Sequence, residues 1–325
     1  MNVSILGTGA YGIALALMFH KNGNKIKMWT KFEEEKDAIL KSRMNERVLP
    51  NVKIPNDIEI SCDFRDTVIN AELIVIAVPA AFVDDVSYLL SKYYTQDQYV
   101  VIASKGIERD SCQFVTDIFK RHVKTRRYAI ISGPSFAVDI VTNCPIGLSL
   151  ASENKKTRLV VKKALESNSI KLRETRDVIG VEICGSIKNV IAIAAGMLDG
   201  MGYPESTQAM FITESLHDIK ELISNLGGDR KTILSFAGFG DLLLTATSKK
   251  SRNFSYGYML GAKKSKKEID EYVSKTTIEG LYTIQSIYKL LKNKRVRIPI
   301  INLIYDIIEG KQDVSVLPEF LIAKK

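Results

Sequence analysis

The stretch that decides the fold is Ser4-Ile5-Leu6-Gly7-Thr8-Gly9-Ala10-Tyr11-Gly12, at the start of the 325-residue chain. Its apolar first residues predict a buried strand, and the apolar spacing of residues 13–21 predicts a helix. Gly7 allows a tight turn, Gly9 lets the backbone approach a pyrophosphate, and Gly12 lets helix pack on strand. In this strand–turn–helix setting the pattern G-x-G-x-x-G favours dinucleotide binding over a turn that binds nothing.

The composition is that of an ordinary globular protein, with 46% hydrophobic and 26% charged residues. The length predicts two domains. Four scattered cysteines and three histidines indicate no metal site and a reducing compartment. No secretory signal precedes the first predicted strand, and the most apolar helical stretch, residues 190–198, is too short to cross a bilayer. We therefore expect a cytoplasmic protein without integral membrane association.

The net charge of +9 admits nucleic acid, a membrane surface or an anionic small molecule as the partner. Lysine pairs are spread along the chain, for example at 249–250, 263–264, 266–267 and 324–325. Aromatic residues are not interleaved with them, as they are in proteins that bind single-stranded nucleic acid. The charge therefore favours a phosphorylated small molecule and no nucleic acid.

Strands and helices alternate along the first half of the chain. After the first strand, apolar runs predict strands at residues 25–30, 73–78, 99–103, 128–131 and 146–151. After about Asp177 the strands stop, and helical spacing continues at 180–197, 206–226, 230–236, 253–262, 278–292 and 298–309. We predict an α/β protein: a Rossmann-like doubly wound parallel sheet over residues 1–178 that binds a dinucleotide, and an all-helical substrate domain over 179–325.

The end of the second strand is where such folds choose between cofactors. An acidic residue about twenty positions past the glycines holds the ribose 2′-hydroxyl of NAD. Trp29-Thr30-Lys31 occupies that place here, and Glu33 lies slightly late. Because Lys31 would pair with a 2′-phosphate that a carboxylate would repel, the sequence favours tolerance of NADP. The alternative is a Lys31 that is simply exposed.

The helical half contains three candidate chemical groups. Lys188, followed by Asn189, lies in an apolar helix and is either snorkelling outward or held in a cleft as a proton donor. Asp241 either caps the helix that follows it or pairs with Lys188, and Thr245 shares its helical face. The turn Ser251-Arg252-Asn253 offers donors suited to phosphate, although such turns more often only cap a helix.

Taken together, seven segments resemble the bacterial-type NAD(P)-dependent glycerol-3-phosphate dehydrogenases over nearly the full length. They are GTGAYG (7–12), ASKG (103–106), ISGPSFA (131–137), SIKNVIAIAAG (186–196), AGFGDL (237–242), SRN (251–253) and IEG (278–280). The resemblance implies reversible hydride transfer between NAD or NADP and C2 of dihydroxyacetone phosphate. The product would be sn-glycerol 3-phosphate, a precursor of glycerophospholipids.

The same resemblance assigns roles to individual residues. The implied catalytic residues are Lys188, Asp241 and Lys105. The implied substrate-binding residues are Lys105, Gly133, Ser135, Lys188, Asn189, Asp241, Thr245, Ser251, Arg252 and Asn253. The implied cofactor-binding residues are Gly7, Gly9, Ala10, Tyr11, Gly12, Lys31, Lys105, Ala137, Arg252, Thr277 and Glu279. A lysine suits this reaction because the ketone oxygen becomes an alkoxide as hydride arrives.

The chain departs from the family pattern at Ala10, where many relatives carry serine, at Thr277, where a small aliphatic residue is usual, and at the short C-terminus, 320–325. Two alternatives remain open. A β-hydroxyacid dehydrogenase would share the architecture, but the turn at 251–253 favours a phosphate over a carboxylate substrate. A nucleotide-sensing module would not need all three catalytic residues. Since apolar helical domains often dimerise, we also expect a homodimer.

Overall fold

The computed structural model describes residues 1–108, 111–291 and 294–323. The chain forms two compact units. The first contains residues 1–105 and 114–178, and the second contains the described parts of 106–113 and 179–325. The described part of segment 106–113 thus belongs with the second unit, so a single boundary in the sequence does not separate the two units. The domain boundary at residue 178 stays a prediction.

The first unit is built on an eight-stranded sheet in the order β3-β2-β1-β4-β5-β6-β7-β8. Its strands are β1 Asn2–Leu6, β2 Lys25–Trp29, β3 Glu59–Ser61, β4 Leu73–Ile76, β5 Tyr99–Ile102, β6 Tyr128–Ser132, β7 Ile146–Ala151 and β8 Ile170–Thr175. All neighbours pair in parallel except β6 and β7, which are antiparallel. The predicted α/β class with a parallel-dominated sheet is confirmed. The order reverses at β1, between β2 and β4, which is where sheets of this kind bind ligands.

Helices cover this sheet. They are α1 Ala10–Lys21, α2 Glu33–Ser42, α3 Phe64–Val68, α4 Val83–Ser91, α5 Val115–His122, α6 Ala137–Val141 and α7 Lys155–Leu165. The residues of β4 and β5 are all buried, as expected for central parallel strands with both faces covered. The core of the unit runs from these strands onto the inner face of α1.

Some boundaries differ from the sequence expectations. Strands β3 and β8 were not predicted, because β3 is only three residues long and β8 alternates apolar and charged residues at the sheet edge. The polar residues 33–47 after β2 predict a helix, and that helix ends at Ser42, because Arg43 adopts a left-handed conformation with φ 54°. The antiparallel pairing of β6 with β7 also had no signal in the sequence.

Helices α8 to α15 make up the regular structure of the second unit in the described ranges. They are α8 Val178–Gly200, α9 Glu205–Asn225, α10 Asp241–Ala246, α11 Arg252–Gly261, α12 Lys266–Lys275, α13 Glu279–Leu291, α14 Pro299–Ile308 and α15 Val316–Ile322. A 3₁₀ turn spans Arg230–Leu234, and a π-helical turn spans Phe236–Gly240. The all-helical prediction is confirmed for the described residues. The predicted helix end at Lys292 and the lysine pair at 324–325 lie outside them.

Helix α8 corrects one expectation. It has 23 residues and is long and apolar enough to cross a membrane, so the shortness of residues 190–198 was the wrong argument against a span. Of its most apolar window, 89% is buried within the folded chain. A helix that is hydrophobic all round and buried in this way is a core helix.

Glycines bring the backbones of α8 and α11 into direct contact. A Cβ on Gly257 would lie 1.8 Å from the carbonyl oxygen of Ile193, and one on Gly261 would lie 2.0 Å from that of Met197. Both contacts have the same sequence offset, so the two helices run in one direction and in register. One turn toward their N-termini, that register places Lys188-Asn189 level with Arg252-Asn253.

Candidate active site

The turn between β1 and α1 has the geometry of an anion cradle. Gly7 has φ +121°, which favours glycine, and a Cβ there would lie 2.8 Å from the carbonyl oxygen of Ala77. Beside Gly9 a Cβ would meet nothing within 4 Å. Helix α1 starts at Ala10 with no side-chain cap and no acidic residue in its first turn, among the residues described. Its first N–H groups are therefore suited to phosphate oxygens.

A groove of about 510 Å³ adjoins this turn. Its walls come from the ends of β1, β2 and β4 and include Gly7, Gly9, Thr30, Lys31, Pro79 and Phe82. It lies at the reversal of strand order, and its wall is mainly apolar beside a turn open to phosphate. These residues fit a nicotinamide dinucleotide, with the pyrophosphate at the glycine turn and the adenosine half along β2.

Glu35 is a functional candidate that the sequence analysis missed. Its carboxylate lines the groove and accepts hydrogen bonds from Thr8 Oγ1 at 2.6 Å, Thr30 Oγ1 at 2.5 Å and Asn45 Nδ2 at 2.9 Å. Partial burial raises the pKa of Glu35, but these hydrogen bonds more than offset it and hold the pKa below its usual value near 4.5. Its only sequence signal was a place in the first turn of the helix after β2.

Glu33, the acid that the sequence analysis did consider, is exposed and forms an ion pair with Lys36. That contact lowers the pKa of Glu33. Lys31 is exposed and lines the same groove as Glu35. The charged side chains that line this groove are therefore Lys31, Glu35 and, on α4, Asp85, whereas Glu33 does not line it.

Four predicted residues of the first unit form one cluster. Lys105 Nζ donates to the carbonyl oxygen of Gly133 at 3.5 Å and lies 5.7 Å from the ring centre of Tyr11. The Tyr11 hydroxyl lies 3.1 Å from Ser135 Oγ, which donates to the same Gly133 carbonyl at 3.1 Å. Ala137 begins α6 just beyond, and it is half-buried. The segments 7–12, 103–106 and 131–137 thus converge at the carboxyl edge of the sheet.

Lys188 and Asp241 form a buried ion pair in the second unit. Lys188 Nζ lies 2.6 Å from Asp241 Oδ1, and the side chains are 11% and 2% exposed. Lys188 therefore does not snorkel outward. Asp241 is the first residue of α10 and directly follows the π-helical turn, whose tight path needs Gly238: a Cβ there would lie 2.2 Å from the carbonyl oxygen of Ile233.

Glu279 connects α8 to the start of α11. Its Oε2 accepts a hydrogen bond from Asn189 Nδ2 at 2.9 Å, and its Oε1 lies 3.7 Å from the Arg252 guanidinium. Asn253 Oδ1 accepts the backbone N–H of Gly280 at 2.9 Å, which ties α11 to the first turn of α13. Glu279 and Asn253 therefore fix the position of Arg252, whose side chain is 55% exposed.

Two of the predicted hydroxyls have local partners. Thr245 donates to the carbonyl oxygen of Asp241 at 2.6 Å, one helical turn back. Ser251 caps α11 by accepting the N–H of Phe254 at 3.3 Å. The two positions that depart from the family pattern lie at helix starts: Thr277 is exposed just before α13, and Ala10 is half-buried at the first residue of α1.

The arrangement suits polar chemistry on a phosphorylated carbonyl compound. A buried ammonium held by a carboxylate is a fixed donor for a developing alkoxide. An exposed guanidinium offers the planar fork that binds phosphate. Within the described part of the chain, no group of three or more His, Cys, Asp or Glu side chains is placed to hold a metal ion.

Comparison with known proteins gives matches along the whole chain. The family model for the N-terminus of NAD-dependent glycerol-3-phosphate dehydrogenase matches residues 2–158, and that for its C-terminus matches 177–319. The glycerol-3-phosphate dehydrogenase [NAD(P)+] of Fusobacterium nucleatum is 33% identical, covering 100% of this chain and 98% of the relative. That of a Thermoanaerobacter species is 36% identical, covering 96% and 94%. The crystal structure of the Coxiella burnetii enzyme superposes with a TM-score of 0.91 at 29% identity, covering 99% of both chains.

Proposed function

The chain belongs to the NAD-dependent glycerol-3-phosphate dehydrogenase family, and from that premise we propose how its residues share the work of the reaction. The enzyme reduces dihydroxyacetone phosphate to glycerol 3-phosphate with NADH or NADPH. The observation that carries the assignment of roles is the buried Lys188–Asp241 pair, level in helix register with the turn at Arg252.

Lys188 acts on the reacting carbonyl. Bound NADH or NADPH supplies the hydride. As negative charge grows on the ketone oxygen, the Lys188 ammonium stabilises that charge and donates the proton. Asp241 holds the ammonium at 2.6 Å, and Thr245 steadies the start of α10 by its bond to the Asp241 carbonyl. Asn189, fixed by Glu279, donates to the substrate beside Lys188.

Arg252 and its neighbours hold the substrate phosphate. The Asn253 side-chain oxygen is occupied by Gly280, which leaves its amide N–H groups for an anion. The Ser251 hydroxyl accepts from Phe254 and keeps its own proton to donate. The phosphate lies far from the reacting carbon, so its binding energy holds the carbonyl in the pose that reacts.

The first unit binds the cofactor. The glycine turn with Ala10 and Tyr11 takes the pyrophosphate, and Lys31 lies beside the adenosine ribose. Lys105, Gly133 and Ser135 form a polar cluster that serves the substrate, and Lys105 also serves the cofactor. Ala137, Arg252, Thr277 and Glu279 complete the cofactor contacts. This division corresponds to a dinucleotide-binding domain at residues 1–178 and a substrate domain at 179–325.

The protein works as a homodimer in the cytoplasm. Support for self-association comes from apolar side chains exposed on the second unit, among them Leu234, which is 77% exposed. Sedimentation of the purified chain at micromolar concentration would give twice the monomer mass of 36.3 kDa. A single species at the monomer mass would remove the dimer from the proposal.

The roles are tested by absorbance at 340 nm with dihydroxyacetone phosphate and each reduced cofactor. We expect turnover by the wild type, and loss of kcat with retained cofactor binding in Lys188→Ala. Lys275→Ala is the matched control, since Lys275 also forms an ion pair at 2.6 Å but is 72% exposed. Wild-type turnover in Lys188→Ala would remove this lysine from the mechanism. Reduction of a β-keto acid instead of the phosphorylated ketone would favour the hydroxyacid dehydrogenase alternative.

A further inference from the structure

We propose that Glu35 makes the nucleotide groove select NAD over NADP. This inference rests on the proposed function, which assigns the groove to the nicotinamide cofactor. It goes further because it names the residue that sets the preference. It also reverses the preference that Lys31 alone favours.

Position is the first argument. Glu35 bonds Thr8, between the first two glycines of the turn, and Thr30, directly after β2. Its carboxylate therefore lies between the place of the pyrophosphate and the place of the adenosine ribose. In dinucleotide folds this is where an acidic residue holds the ribose 2′-hydroxyl. The sequence spacing hid it, because Glu35 reaches the position from the first turn of α2 and not from the end of β2.

Hydrogen-bond capacity is the second argument. A carboxylate offers about four lone-pair positions. Three are taken by Thr8, Thr30 and Asn45, which hold the group rigidly. One remains for a donor, and a ribose 2′-hydroxyl is a donor whereas a 2′-phosphate dianion is not. The site is therefore complementary to NAD. With NADP, the Glu35 carboxylate and the 2′-phosphate would face each other as two hydrogen-bond acceptors.

Charge is the third argument. The depressed pKa keeps Glu35 ionised at neutral pH, and Glu33 and Glu34 share its helical turn. A 2′-phosphate brings about 1.5 to 2 further negative charges. Lys31 opposes them, as does Arg47, whose charge also acts on Glu35, but both cations are exposed and so are screened by salt, whereas Glu35 is half-buried and less screened. Repulsion from Glu35 therefore outweighs attraction to Lys31.

The test is a binding titration that needs no turnover. NADH and NADPH are titrated into the full-length protein at fixed ionic strength, with cofactor fluorescence and calorimetry as readouts. We expect the Kd for NADPH to exceed that for NADH by at least about tenfold. Glu35→Gln should bring the ratio within about threefold, because it removes the charge and keeps a side-chain oxygen for the two threonines. Lys31→Gln should raise the ratio.

Glu34→Gln is the matched control. It removes the same charge from the same helical turn, but Glu34 does not line the groove, so the ratio should change less than about twofold. A wild-type ratio near or below one would overturn the inference even if Glu35→Gln does not fold. So would a Glu35→Gln ratio equal to that of the wild type, or an equal shift in Glu34→Gln.

The inference and the proposed function fail in different ways. If neither cofactor binds, the groove assignment fails and the inference with it. If both bind with the expected ratio but dihydroxyacetone phosphate is not reduced, the roles given to Lys188 and Arg252 fail while the inference stands.

Discussion

Asp241→Asn removes one charge from the buried pair with Lys188. The two side chains are 2% and 11% exposed, and their charged atoms lie 2.6 Å apart. Removing one partner of a buried pair takes away the closest opposite charge of the other, which costs about 3–5 kcal/mol of unfolding free energy. The chain contains a matched exposed pair. Lys275 and Glu271 also lie 2.6 Å apart, but they are 72% and 61% exposed. Glu271→Gln should therefore cost less than about 1 kcal/mol.

Activity should fall by a different route. Without the carboxylate, the Lys188 ammonium loses the contact that fixes its direction, and a misplacement of about 1 Å can lower a rate by about 100-fold. We expect kcat to fall by about that factor in Asp241→Asn. Replacing the pair with Lys188→Met and Asp241→Leu together should recover most of the stability, because both charges of the buried pair are removed. It should recover no activity.

Urea unfolding measured by circular dichroism, beside steady-state kinetics, tests both expectations. The single tryptophan, Trp29, lies on β2, so its fluorescence follows the first unit separately. The loss should appear in the helical signal. A cost for Asp241→Asn no larger than that for Glu271→Gln would refute the reasoning, since burial would then make no difference. Recovery of activity in the apolar double variant would refute the role of Lys188.

Arg252→Ala should raise the KM for dihydroxyacetone phosphate and lower kcat, with kcat/KM reduced at least about tenfold, because the phosphate positions the ketone; an unchanged kcat/KM would place the phosphate elsewhere. Gly257→Ala should destabilise the chain by about 1–3 kcal/mol in urea, because its Cβ would lie 1.8 Å from the Ile193 carbonyl oxygen; equal or higher stability would show that α8 and α11 separate freely. Glu35 has a depressed folded-state pKa, so its stabilising contribution is present above the unfolded pKa, near 4.5, and is lost as the pH falls through the lower folded value. Unfolding titrations of Glu35→Gln across that acid range should show a shallower loss than the wild type, and parallel curves would contradict this.

The sheet could be predicted where its strands are central. Residues 73–76 and 99–102 are fully buried, so their sequence is a continuous apolar run that only a covered parallel strand requires. At the edges the signal fades. Strand β8 lies at the sheet edge and three of its six residues are charged, so its sequence also suits an exposed loop. Strand β7 runs antiparallel to its neighbour β6, and no pattern within the sequence of β7 indicates that direction.

In the candidate site, too, features that depend on a local sequence pattern were easier to predict than features that depend on tertiary contacts. The glycine turn was predictable because the local backbone conformation requires glycine, and the three glycines lie close together in the sequence. The ion pair of Lys188 with Asp241 was one of two alternatives that the sequence left open, and the fold decides between them by bringing Asp241 to the lysine. Glu35 was missed for a related reason. An acidic residue was expected at a fixed distance past the glycines, whereas the carboxylate reaches the groove from a neighbouring helix.

Among the described residues, α8 is the helix that is long and apolar enough to cross a membrane, and it also carries Lys188, the proposed proton donor. Helix α8 meets α11 backbone to backbone, which requires glycine at Gly196 and Gly200, and most of the other residues of α8 are apolar and buried. A charge on such a helix is costly unless it is paired. The ion pair with Asp241 at 2.6 Å stabilises the ammonium of Lys188 there. The close packing of α8 against α11 thus has two consequences. It makes an opposite charge beside Lys188 favourable, and it sets the helix register that brings Arg252 level with Lys188.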